Sequence, residues 1–226
     1  MILMIINRNY QLLNHTTAEL WVKPGMVLRQ KLLKWVYPFL MKYRKFSVKN
    51  KSKEQVKRVF PGTPFYDLSA TLNNGQQLTF ENFKNKSVLI VNTASNCGYT
   101  NQYAELQKLH EKYKNKLVIL AFPSNDFKEQ EKGNDEEISR FCTLNFGISF
   151  PLAKKAVVVK GLNQNSVFQW LTHKELNGWN DQQPGWNFSK YVINGKGQLT
   201  HYFDAGISPL SSEFIQAVTK RFDDNF

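Results

Sequence analysis

Two short apolar runs, Val88-Leu89-Ile90-Val91 and Leu117 to Phe122, leave this chain few architectures. Each is too short for a buried helix and lacks the apolar-polar alternation of a half-exposed strand, so each predicts a strand covered on both faces. Between them Tyr103, Leu106, Leu109 and Tyr113 recur at helical spacing. Strand, helix and strand joined by short connections form a βαβ unit, in which the strands run parallel and helices cover the sheet.

The remaining segments extend that unit. Two short strands are expected around the turn Asn73-Asn74-Gly75, followed by Phe80 to Phe83. A helix is expected from Asn134, whose side chain pairs with Glu137 as in a capping box, and it carries Ile138, Phe141 and Cys142. A short helix from Val167 to His173 comes next. A hairpin follows, with Asn187 to Ile193 and Gln198 to Phe203 as its strands and Asn194-Gly195-Lys196-Gly197 as its turn; a last helix spans Ser212 to Phe222. Strand, helix, strand, helix, hairpin and helix is a thioredoxin-like order: an α/β fold with a central mixed β-sheet flanked by helices. A chain of 226 residues with 42% hydrophobic content supports one buried domain plus an appendage.

Charge separates the appendage from the body. Residues 1–60 hold 13 of the 30 Lys and Arg and 2 of the 18 Asp and Glu, so +11 of the formal +12 lies there. We therefore divide the chain into a basic N-terminal extension, 1–60, and a near-neutral domain, 61–226. Ser47 to Arg58 has linker composition. Within the extension, Met26 to Phe46 interleaves Leu28, Leu32, Leu33, Trp35, Val36, Phe39 and Leu40 with Arg29, Lys31, Lys34, Lys42, Arg44 and Lys45. The apolar run Trp35 to Met41 is too short to span a bilayer and contains Pro38. Two readings stay open: peripheral contact with an anionic membrane through residues 26–46, or a solvated segment docking on the body. Met26 also stands as an alternative translation start. With the excess charge confined to the head, no nucleic-acid partner is expected.

Two cysteines exclude a disulfide-stapled scaffold, and a cytoplasmic location is expected. His15, His110, His173 and His201 are scattered, so no metal site is expected. Cys97 lies in Asn92-Thr93-Ala94-Ser95-Asn96-Cys97-Gly98-Tyr99-Thr100, after the first buried strand and before the first helix. Amides at a helix N-terminus stabilise negative charge and make such a thiol more reactive. Cysteine is also often a small buried hydrophobe, so position alone leaves both readings open.

Asn92 to Tyr103 resembles the active-site signature of the glutathione peroxidases. Phe122-Pro123-Ser124-Asn125-Asp126-Phe127-Lys128-Glu129-Gln130-Glu131 is similar to that family's second motif, and Gly185-Trp186-Asn187-Phe188-Ser189-Lys190 to its third. The resemblance runs from about residue 62 to 222. It implies an enzyme, a peroxidase acting on hydrogen peroxide or organic hydroperoxides, with Cys97, Gln130, Trp186 and Asn187 as its catalytic group. These partners are neutral donors, suited to stabilising a thiolate and a developing oxyanion without trapping either. Gly-Trp-Asn occurs twice, and the continuation Phe-Ser-Lys-Tyr-Val-Ile selects Trp186 over Trp179.

Cysteine at position 97, where one branch of the family has selenocysteine, implies a thiol-based version. Ser124, Asp126 and Lys128 stand where cysteine, glutamine and glycine are usual, which bears on the shape of that loop; Asp126 is expected to face solvent. Cys142 resembles the resolving cysteine of the thioredoxin-dependent, non-selenium branch. A Cys97 sulfenic acid would then condense with Cys142 and be reduced by thioredoxin, with no bound cofactor. The alternatives are a one-cysteine enzyme resolved by glutathione, and a sensor passing oxidation to a partner protein. The short segment from Glu175 to Trp186 lacks the insertion associated with tetrameric members, so a monomer is expected.

Overall fold

The computed structural model describes residues 32, 35–39, 52–56 and 59–219. Its centre is a five-stranded sheet in the order β1-β7-β6-β4-β5. The strands are β1 (Ser52–Glu54), β4 (Ser87–Thr93), β5 (Leu117–Pro123), β6 (Lys190–Ile193) and β7 (Leu199–Phe203). A separate hairpin comprises β2 (Ser69–Thr71) and β3 (Gln77–Thr79). The helices are α1 (Gln102–Tyr113), α2 (Asp135–Phe146), α3 (Ser166–Thr172), α4 (Lys174–Asn177) and α5 (Ser212–Thr219).

All seven residues of β4 are buried. Alternate side chains enter opposite cores: Leu89 and Val91 face one with α1, α2 and α5, and Val88 and Ile90 face the other with α3 and Phe65, Phe80 and Phe83. Two covered faces explain the uninterrupted aliphatic run. Phe80–Phe83 forms a 3₁₀ turn that inserts both phenylalanines into the second core. The predicted cap of α2 is present, with Asn134 Oδ1 accepting from Glu137 N at 2.9 Å and Glu137 Oε2 from Asn134 N at 3.0 Å.

Strand directions bring three separate sequence segments to one end of the sheet. β4 and β5 are parallel from Ser87↔Leu117 to Thr93↔Pro123, so the loops after Thr93 and Pro123 leave on the same side. β6 is antiparallel to β4, with Val91 opposite Lys190, so the residues preceding Lys190 arrive at that same edge. Cys97, Gln130 and Asn187 follow or precede these three strand ends. Such a crevice at the carboxyl ends of parallel strands is where open α/β sheets place their chemistry.

Two expectations change. Ser52–Glu54, within the expected linker, is an edge strand paired to β7 from Ser52↔Phe203 to Glu54↔His201. Its residues are exposed and partly charged, which gives them a linker's composition and also suits an edge strand. β6 begins at Lys190 and not at Asn187, because residues 186–189 form a tight turn. The last helix is described to Thr219, and the expected residues 220–222 lie outside the described residues, as does most of 26–46.

Candidate active site

Cys97 is fully buried in the turn between β4 and α1. Its Sγ accepts from Tyr99 N at 3.4 Å, its N–H donates to Thr100 Oγ1 at 2.9 Å, and its carbonyl accepts from Thr100 N at 3.1 Å. Thr100 Oγ1 also reaches the Ala94 carbonyl at 2.9 Å, so one side chain closes the whole turn. An N–H aimed at sulfur is a donor that a thiolate accepts more strongly than a thiol.

The loop after β5 supplies Gln130. Lys128 and Glu129 both have left-handed backbones, with φ 51° and 50°, a region that costs an L-residue about 1–2 kcal/mol. Glycine, usual in the resembling motif, meets that geometry without strain at position 128, where this chain has lysine. Asp126, expected to face solvent, is half-buried and instead anchors the loop: its Oδ2 accepts from Val158 N at 2.6 Å and Val159 N at 3.1 Å. Two backbone amides thus satisfy its charge. The Gln130 carbonyl accepts from Asn96 N at 3.1 Å, beside Cys97.

The turn before β6 supplies Trp186 and Asn187. Phe188 has φ 72°, an outlier for a bulky residue, and its side chain is fully buried. Asn92, the penultimate residue of β4, holds this conformation. Its carbonyl accepts from Phe188 N at 2.6 Å, its Oδ1 from Ser189 N at 3.0 Å, and its Nδ2 donates to the Trp186 carbonyl at 3.2 Å. Lys190 adds a buried ammonium donating to the carbonyls of Phe188 at 2.8 Å and Ile207 at 2.7 Å. Burial pushes that amine down to about 7, against the pull of Glu105 and Asp204.

These elements meet where Asn187 Nδ2 donates to Gln130 Oε1 at 3.1 Å. Trp186 packs on the core cluster that contains Cys97, with Phe127 5.6 Å away ring to ring and the Lys128 ammonium 5.9 Å from its centroid. Trp179 is elsewhere: its Nε1 donates to the Leu199 carbonyl at 2.7 Å on the opposite core. Of the two Gly-Trp-Asn sequences, only the second joins the Gln130 and Cys97 loops.

Cys142 lies fully buried on α2, in the same core as Cys97, and neither cysteine is in a disulfide. Burial pushes its thiol up to about 12; the Tyr103 hydroxyl works against this and the Glu131 carboxylate adds to it. Sequence reasoning left Asn92, Glu131 and Lys190 without roles. All three stood inside quoted motifs, but each bonds to another segment, Asn92 to the turn before β6, Glu131 to Ser95 and Lys190 to Ile207, which no spacing within a motif reveals.

The family model described as "Glutathione peroxidase" matches residues 65–172. Glutathione peroxidase-like peroxiredoxin 2 of Saccharomyces cerevisiae is 42% identical over 150 residues, covering 66% of this chain and 92% of that protein. The chain belongs to the glutathione peroxidase family. A second relative, the glutathione peroxidase of Lactococcus lactis subsp. cremoris, is 40% identical over 150 residues, 66% of this chain and 94% of its own. Like others of its family, the chain is an enzyme, a thiol peroxidase.

Solved structures show the fold of this glutathione peroxidase to be thioredoxin-like. The crystal structure of T. cruzi GPX1 matches with TM-score 0.55 at 24% identity, covering 71% of this chain and 97% of that one. A thioredoxin family thiol:disulfide interchange protein from Chlorobium tepidum matches with TM-score 0.50 at 14% identity, covering 74% and 99%. Trp186 and Asn187 lie beyond the residues of the family match, and the antiparallel placement of β6 is what joins them to it.

Proposed function

We propose that this glutathione peroxidase family enzyme reduces hydroperoxides through a disulfide cycle between Cys97 and Cys142, with a thioredoxin-type dithiol as reductant. The Cys97 thiolate attacks one peroxide oxygen and breaks the O–O bond, leaving a sulfenic acid while the departing alkoxide takes up a proton. Gln130, Trp186 and Asn187 donate hydrogen bonds to the oxygen on which charge develops. The Cys142 thiol then attacks the Cys97 sulfur; the disulfide forms, and the displaced hydroxide leaves as water with the thiol proton. An external dithiol returns both cysteines to thiols.

The observation that carries this reading is the Asn187 to Gln130 bond, which assembles the neutral donors beside the Cys97 loop. Burial keeps the Cys142 thiol protonated in the packed fold, and this reading includes a rearrangement of the Cys97 loop and α2 that exposes it for the disulfide step. Intact mass of peroxide-treated protein tests the cycle. An intramolecular disulfide supports it, while a persistent sulfenic acid that glutathione converts to a mixed disulfide supports the one-cysteine alternative.

A second reading concerns the basic head. Residues 35–39 are helical, with Tyr37 buried and its hydroxyl donating to Glu105 of α1 at 2.9 Å. The same segment turns Trp35 (71% exposed) and Phe39 (64% exposed) outward, their rings 5.9 Å apart, and Leu32 is 59% exposed. Exposed aromatics within a strongly basic sequence support contact with an anionic lipid surface. Among the described residues no helix is long and apolar enough to cross a membrane. Co-sedimentation with vesicles of phosphatidylcholine and phosphatidylserine is expected, and is expected to fall in W35S/F39S; equal binding to pure phosphatidylcholine would contradict this reading.

A further inference from the structure

Glu131 is a buried carboxyl, 2% exposed, that the peroxide chemistry does not use. Its Oε2 accepts from both Ser95 N at 2.8 Å and Ser95 Oγ at 2.9 Å, two residues before Cys97. The adjoining Gln130 carbonyl holds Asn96 N. Consecutive residues of one loop thus clasp consecutive residues of the other. The clasp has its own support, since Glu131 N donates to Asn125 Oδ1 at 2.9 Å.

Its surroundings tie it to the second cysteine. The groups whose charge it feels, or that feel its charge, are Tyr103 on α1, Cys142 on α2, and Lys155, which bonds to Gly133 and Asp135. The buried Tyr103 hydroxyl has no hydrogen-bond partner among the described residues, and Lys155 Nζ donates to the Gly133 carbonyl. Glu131 is therefore bonded to the loop that carries Cys97, and its charge acts on the Cys142 thiol of α2.

We propose that Glu131 is a positioning residue, whose carboxyl clasps the Cys97 loop through Ser95 for the reaction with peroxide and releases it for the step in which Cys97 joins Cys142. The release half rests on Cys142 as the resolving thiol. Burial raises the Glu131 carboxyl to about 7, outweighing its bonds to Ser95 and the pull of Lys155. An opened loop would return it to water and to its ordinary value near 4.5. The closed loop then holds the proton more tightly than the open one, so low pH favours closure and ionisation favours opening. The gain in opening is about tenfold between pH 6 and pH 8.

The full chain and Glu131→Gln, which keeps an acceptor for Ser95 without the charge, are treated with one equivalent of hydrogen peroxide at pH 6 and pH 8. Disulfide is followed by rapid alkylation and intact mass. Rising pH ionises Cys142 in both proteins, less readily in the wild type where the Glu131 charge opposes it, so the readout is the ratio of wild-type to variant rates, expected to rise several-fold, toward the tenfold gain in opening, from pH 6 to pH 8. Ser95→Ala, which removes one of the two donors, is expected to speed disulfide formation at pH 6 by threefold or more. A ratio that does not change with pH, or an S95A rate equal to wild type, overturns the role of Glu131 and leaves the disulfide cycle standing. Absence of any Cys97–Cys142 disulfide in the wild-type protein overturns the resolving role of Cys142 and the release with it.

Discussion

Gln130 shows how much a residue's neighbours decide its role. Its carbonyl accepts from Asn96 N and its side-chain oxygen from Asn187, so its amide group is held in one orientation. Gln130→Ala is expected to lower kcat/KM for hydrogen peroxide by about 10²-fold, the scale for losing one preorganised donor, while the melting temperature changes little. Steady-state kinetics beside a thermal melt checks both. Lys128 carries a different lesson. Glycine at its left-handed position removes about 1–2 kcal/mol of strain and adds roughly 0.5–1 kcal/mol of unfolded-chain entropy, so Lys128→Gly is expected to be mildly stabilising in urea titrations. The sequence motifs exposed the departure at Lys128, but the left-handed Phe188 was not legible, because its conformation is imposed by Asn92, 96 positions earlier.

At the scale of elements, periodicity was a sound guide wherever a segment buries one face or two. β4, β5, α1 and the capped α2 follow directly from their side-chain patterns. β1 was invisible because a three-residue exposed edge has no period of its own; its pairing is determined by β7. The turn before β6 continues the letters of a strand, and Asn92 reaches across from β4 to hold it as a turn. Asn92→Ala removes one donor and one acceptor from a buried clamp and is expected to destabilise the protein by about 2–4 kcal/mol. Peroxidase activity is expected to fall at temperatures where the variant remains folded, because Trp186 and Asn187 lose their support. Urea unfolding and initial rates on the same preparation separate the two effects.

For the whole molecule, strand direction converts three distant motifs into one site. The sequence displayed the motifs and their order, while the convergence of their ends needed the parallel pairing of β4 with β5 and the antiparallel entry of β6. Two buried ionisable groups near that site also shape the pH dependence of global stability. The folded chain binds the Lys190 proton less tightly than the unfolded chain, so this contribution to stability rises as pH climbs from about 7 to 10.5. Glu131 acts in the opposite sense in a lower window: its folded form binds the proton more tightly, so its contribution is present below 4.5 and lost as pH rises to about 7. Lys190→Met is expected to flatten the stability difference between pH 7 and pH 10 relative to wild type, as measured by urea unfolding.

The central claim is that Cys97 is the sulfur that reduces peroxide and that the rest of the site serves it. Its most direct measurement is NADPH consumption by the full chain and by Cys97→Ser, each supplied with thioredoxin, thioredoxin reductase and hydrogen peroxide. The expected result is steady turnover by the wild-type protein and none above background by the variant, which remains folded by circular dichroism. Turnover by Cys97→Ser at a rate comparable to wild type would contradict the account.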